Sequence, residues 1–184
     1  ELAASYIKHF LAKNLDRIRR GAEEVGREVD DNFHTSVLTY GCVLKPGEKL
    51  TSDRVIEETG AQVISSMHFW YEIYTQRGND GFILAEVRDV WEDYKNYVET
   101  EMPMERRHQV LHTGHCSFLP PDERRFITPA MIKATGGLVG EPDEIIERLR
   151  ELENAGLREI ALLPPIAVAR SNFKDFADHI MAKY

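Results

Sequence analysis

A chain of 184 residues with 42% hydrophobic and 29% charged side chains is long enough to bury one core, and no apolar run in it approaches the ~20 residues that span a bilayer. Its formal net charge of −8 excludes the broad basic field on which nucleic-acid binding rests. Cys42 and Cys116 are too few for a disulfide framework, so a reducing, cytoplasmic setting is the expectation.

In chain order, Ile7, Phe10, Leu11, Leu15, Ile18, Ala22 and Val25 recur at helical spacing and predict an amphipathic helix ending near Gly26. Lys13, Arg17, Arg19 and Arg20 form a basic patch along it, of the kind that is usually a solvated face. Phe33 to Leu44, FHTSVLTYGCVL, is rich in β-branched and aromatic residues and reads as a strand, broken late by Gly41 and turned by Lys45, Pro46 and Gly47. Thr51 or Ser52 can cap the next helix, with Asp53 in its first turn and Val55, Ile56, Val63, Ile64 and Met67 as its apolar stripe. Its continuation, with Phe69, Trp70, Tyr71 and Tyr74 projecting on several sides, suits core packing or a subunit contact.

A turn at Gly78 to Gly81 precedes a predicted helix over 82–98, apolar at Ile83, Val87, Val90, Trp91, Tyr94 and Val98 and ended by Met102 and Pro103. Glu105 to Thr128 breaks the regular pattern: His108, His112, His115 and Cys116 cluster around Gly114, and Pro120 with Pro121 precludes a continuing helix. Loops on a rigid scaffold are where function concentrates. Residues 134–165 then read as strand, helix, strand. Leu138 and Val139 lie among Gly136, Gly137 and Gly140, and Pro142 suits the first helical turn. Asp143 and Glu144 complement the helix dipole. Ile145, Ile146, Leu149 and Leu152 make one apolar face, and Gly156 suits the left-handed position beyond the helix end. Ile160 to Leu163 is continuously apolar, as in a parallel strand covered on both faces, and Pro164 and Pro165 stop it. No repeat or low-complexity segment interrupts the chain, so residues 1–184 read as one domain.

The run LVGEPDEIIERLRELENAGLREIALLPP, Leu138 to Pro165, resembles the last helix and strand of the luciferase-like oxidoreductases, flavin-dependent monooxygenases and deazaflavin-dependent reductases built on a (β/α)8 barrel. LDRIRRGAEEVGREVDD, Leu15 to Asp31, resembles the helix of that family that ends in a Gly-Ala and Gly-Arg pattern before the next strand. A complete barrel of this kind needs ~250 residues, so the resemblance implies an α/β fold in which this chain is the C-terminal portion of a TIM barrel. The implied function is oxidoreduction of a small organic substrate with FMN or a deazaflavin coenzyme, by monooxygenation or hydride transfer; a non-catalytic half-barrel that completes a partner chain is the other reading.

The resemblance also implies that the long connection before the final helix folds over the barrel mouth. On that reading His115 is catalytic, donating to an oxygen or shuttling a proton. Tyr40, His112, Cys116, Arg124 and Arg125 are substrate-binding candidates. Tyr40 can instead be a core tyrosine with a satisfied hydroxyl, and the two arginines can be surface ion pairs with Asp122 or Glu123. His108, His112, His115 and Cys116 together offer donors that zinc accepts, but no distant Cys or His pair completes them and the family needs no metal, so no metal ligand is assigned. The family's phosphate anchor lies in an earlier segment, and GGLVG lacks dinucleotide-loop spacing, so cofactor-binding residues stay unassigned. Partners are expected to be a substrate and either a second copy or the missing N-terminal half, with neither nucleic acid nor membrane.

Overall fold

The computed structural model describes residues 2–30 and 32–184, with side chains from Leu11 onward. The readings at Asp31 and at the side chains of Ile7 and Phe10 lie outside the described residues. Among the described residues the fold is mixed α/β and mainly helical, with four short strands in parallel pairs.

Helix α1 (Leu2–Glu24) leads to strands β1 (Ser36–Thr39) and β2 (Gly41–Val43), which are one extended segment interrupted only at Tyr40. β1 pairs in parallel with β4 (Glu159–Leu162), in the register Val37 to Ile160. β2 pairs in parallel with β3 (Leu138–Gly140), Cys42 opposite Val139. Backbone bonding shows that the two partners occupy opposite edges. The even positions face β3, with Leu138 N donating to Tyr40 O at 2.8 Å and Leu44 N to Gly140 O at 2.9 Å. The odd positions face β4, with Glu159 N donating to Thr35 O at 3.0 Å and Leu163 N to Thr39 O at 2.8 Å. The 36–43 segment is therefore central, and no barrel closes among the described residues.

The same alternation divides the core. Tyr40 and Cys42 point into the larger cluster, built from α2 (Asp53–Arg77), α3 (Arg88–Glu101) and α5 (Pro129–Ala134), whose buried members include Ile64, Met67, Trp70, Trp91, Tyr94, Phe126 and Met131. Val43 points the other way, into a smaller cluster with Leu138, Ile145, Ile146, Phe176 and Ile180 from α6 (Pro142–Asn154), α7 (Ala169–Phe176) and a π turn (Ala177–Met181). A Cβ on Gly41 would meet the Phe176 ring at 3.2 Å, so helix packs directly on backbone there. Asn172 closes this side: its side-chain amide donates to Gly41 O at 2.7 Å and to Glu58 Oε2 at 2.8 Å. Residues 166–184, to which the sequence pattern assigned no element, thus cover one face of the sheet.

Three local readings differ from the structure for identifiable reasons. The helix expected over 82–98 begins only at Arg88, after a 3₁₀ turn at Ala85–Val87. Asp80 accepts from Trp91 Nε1 at 3.0 Å and pairs with Arg88 at 3.0 Å, and Arg88 also donates to Asp80 O and Ile83 O. Those bonds fold the connection back so that Ile83 and Val87 enter the core. Ser52 occupies the N-cap position of α2 without capping it, because its hydroxyl accepts from Lys49 N at 3.2 Å instead. The strand beginning at Glu159 is not covered on both faces: Ile160 to Leu163 are half-buried, and Leu38, in register with Ala161, is 64% exposed.

Candidate functional site

Helix α2 carries the polar side chains around which the site is built. Ser65, His68 and Glu72 recur at three and four residue steps and so share one face. Across from them lies the irregular segment that follows α4 (Arg107–Val110). Its path is set by two left-handed residues, Gly114 with φ 81° and Cys116 with φ 61°. Ser117 N and Phe118 N both donate to Gly114 O, at 2.6 and 3.1 Å. A Cβ on Gly114 would sit 2.5 Å from Phe118 O, so only glycine fits this turn.

The turn is fastened to α2 and to the end of β4. Cys116 N donates to Ser65 Oγ at 3.0 Å. The Gln62 amide donates to Leu163 O at 2.9 Å and to Cys116 O at 3.4 Å, and Ile166 N donates to Ser117 O at 3.4 Å. Residues 115–118 therefore cross the C-terminal end of a parallel strand, where reactive groups gather in α/β proteins.

This arrangement brings His112 and His115 against His68 of α2, each offering a ring nitrogen within 4.8 Å of the other two. The rings of His112 and His115 are 5.3 Å apart, and those of His68 and His112 6.0 Å, both edge-on. His68 is fully buried, His112 half-buried and His115 exposed. A carboxylate backs each of the inner two: His68 Nε2 lies 3.2 Å from both oxygens of buried Glu123, and His112 Nε2 lies 2.9 Å from Glu72 Oε1. Tyr94 adds a bond from its hydroxyl to Glu123 at 3.5 Å. Burial, and then the Glu123 charge, push the Tyr94 phenol up, so it stays a neutral donor.

Of the residues singled out in the sequence, His112, His115 and Cys116 come together here. The Cys116 thiol lies 3.5 Å from Ser65 Oγ and is not part of the histidine set. His108 is exposed and stands apart from it. Tyr40 is in the core, its hydroxyl donating to Ile132 O at 3.2 Å and sharing a 2.7 Å bond with Thr135. Arg124 pairs with Asp53 at 2.6 Å and Arg125 with Glu101 at 3.0 Å, the latter guanidinium also lying over the Tyr97 and Phe126 rings. Neither arginine takes Asp122 or Glu123; Glu123 turns inward to His68 instead. The sequence reading did not single out His68, Glu72 or Gln62, and it named Glu123 only as a surface ion-pair partner. The one signal was His68 four residues before Glu72 inside an aromatic run.

A second polar cluster sits at the end of β2. Arg54 donates to Val43 O at 2.9 Å and to Glu58 at 2.8 Å, and pairs with Glu48. Asn172 ties Glu58 in turn to Gly41 O, so the cluster reads as a clamp on the strand end. Burial first, and then Glu58, push the Cys42 thiol up, so it is no nucleophile.

The glycines before α6 do not form a flavin phosphate cradle. A Cβ on Gly137 would lie 2.2 Å from the Tyr40 ring, and one on Gly140 would lie 2.7 Å from the Glu144 carboxylate. The space an anion needs is filled by the chain's own side chains, one of them negative, so no flavin step is derived from these residues. Compared with family models, with curated proteins and with solved structures, the chain matches none.

Proposed function

We propose that the chain is part of an oxidoreductase of the luciferase-like kind, built as the C-terminal portion of a (β/α)8 barrel and acting on a small organic substrate with reduced FMN or a deazaflavin coenzyme. The observation that supports this most is the anchoring of residues 115–118 over the C-terminal end of β4 through Gln62 and Ile166, which is where a barrel of this kind carries its chemistry. The coenzyme supplies the electrons when bound, and its phosphate is held by a segment other than Gly136 to Gly140. In this reading exposed His115 meets substrate, while Glu72 keeps His112 oriented beside it.

Turnover tests the proposal. Reduced FMN with dioxygen present, and reduced deazaflavin without it, offered separately to the protein with a panel of small carbonyl compounds, should be oxidised faster when the right substrate is present. Oxidation of neither coenzyme above the substrate-free rate would overturn it. One observation favours the alternative of a half-barrel completing a partner: the exposed Leu38 on a central parallel strand is a surface that a further element would cover.

A further inference from the structure

We propose that His68, His112 and His115 bind a divalent transition-metal ion, zinc in the first place, with a fourth position open to water or a substrate oxygen. The argument is independent of the flavin reading and starts from His68. Its ring is fully buried, and its Nδ1 has no hydrogen-bond partner among the described residues. An ordinary core histidine satisfies both nitrogens, because an orphaned buried polar atom loses its hydration without gaining a bond in return. The carboxylate of Glu123 only accepts, so the proton of a neutral His68 is on Nε2 and its Nδ1 presents a bare lone pair. A doubly protonated ring would leave an equally orphaned N–H.

The same logic applies to His112, whose Nε2 lies on Glu72 and whose Nδ1 is therefore the free donor atom. Two histidines with Nε2 bound to carboxylates reproduce the arrangement that fixes metal-ligating imidazoles and raises their basicity. Imidazole donors suit zinc and its first-row neighbours. Three protein ligands with an open side are the pattern of a reactive zinc site, whereas structural sites are closed by four. The side left open is that of exposed His115.

Tetrahedral zinc with Zn–N near 2.0–2.1 Å sets ligand nitrogens about 3.3 Å apart, whereas each of the three rings offers one of its two nitrogens within 4.8 Å of the others, so the rings close in and turn on binding. His115 is the member able to move, being exposed and on a turn, while His68 is fixed in the core. The set joins residues 68, 112 and 115, so the distant partner missing from the His108 to Cys116 cluster is supplied by α2. Cys116 and His108 are outside it.

Metal titration decides the matter. The chelator-treated protein should take up one equivalent of Zn²⁺, and Co²⁺ in its place should give the visible absorption of a low-coordinate nitrogen site. His115→Ala, at an exposed position that leaves the fold intact, should weaken Zn²⁺ at least about tenfold, and Glu123→Gln should weaken it by about 10–100-fold through His68. His108→Ala should leave affinity unchanged. Failure to bind one equivalent of Zn²⁺ would overturn the proposal. So would a His108→Ala variant as impaired as His115→Ala, since that would mean nonspecific binding to a histidine-rich loop.

Discussion

Gly137 lies against the ring of Tyr40, where a Cβ would come within 2.2 Å of two ring atoms. Because that ring is buried and its hydroxyl is tied to Ile132 O and Thr135, it has nowhere to retreat. Gly137→Ala should therefore destabilise the fold by about 1–3 kcal/mol as overpacking, measured as a lowered urea midpoint; a midpoint unchanged from wild type would show that the strand ends are loosely packed. Asp80 gives a prediction in pH. The Trp91 indole N–H foremost, with Lys95 and Arg88, holds its carboxyl down to about 2. A depressed folded value means stability present above the ordinary carboxylate range near ~3.9 and lost as pH falls through it toward 2. Asp80→Asn should cost about 1–2 kcal/mol at neutral pH, discounted for partial exposure, and the gap between variant and wild type should narrow at pH 3. An undiminished gap there would assign the effect to packing. At this scale, chemistry legible in sequence was of the local kind, such as the reading of Tyr40 as a core tyrosine with a satisfied hydroxyl. The role of His68 was not legible, because it depends on Glu123 arriving from 55 residues away.

At the scale of elements, local signals served where the element carries its own boundaries. Helix α6 starts at Pro142, and Glu144 accepts from Glu141 N at 2.8 Å, half of a capping box. Glu144→Ala should cost about 0.5–1 kcal/mol, read from thermal melts, and an effect below the error of the melt would remove that bond from the account. Gly156 ends the same helix region at φ 101°, as the Asn-Ala-Gly sequence suggested. The start of α3 was hidden, because the apolar spacing at Ile83 and Val87 is satisfied equally by a helix and by a turn that buries both. What chose the turn was the Asp80 network with Arg88, Trp91 and Lys95. The closing helix and π turn left a weaker trace: Asn172, Phe176 and Ile180 are spaced by four and all buried, but the first is polar. It qualifies for burial only because Gly41 O and Glu58 accept its amide.

For the whole molecule, the strand character of Phe33 to Leu44 and the parallel character of Ile160 to Leu163 were legible in their residues, yet their neighbours were not. The 36–43 segment holds β3 on one edge and β4 on the other, a matter of long-range assembly that no local pattern encodes. Leu38 is left 64% exposed. On the opposite face an open groove of about 460 Å³ runs along Leu149, Leu157, Ile160, Leu162, Phe176 and Ile180. Apolar surface on a parallel sheet drives association, so sedimentation should show self-association that Leu38→Lys reduces; a wild-type chain that sediments as a monomer at all concentrations speaks against it. The candidate site spans the same scale, since its working end is defined by a loop, a helix and a strand terminus together. The most direct test compares substrate-dependent coenzyme oxidation by wild type and His115→Ala at matched folded fraction. Turnover should fall at least about tenfold while thermal stability stays within about 1 kcal/mol, because an exposed loop histidine contributes little to a core; equal turnover in the two proteins would contradict a working site at the end of β4.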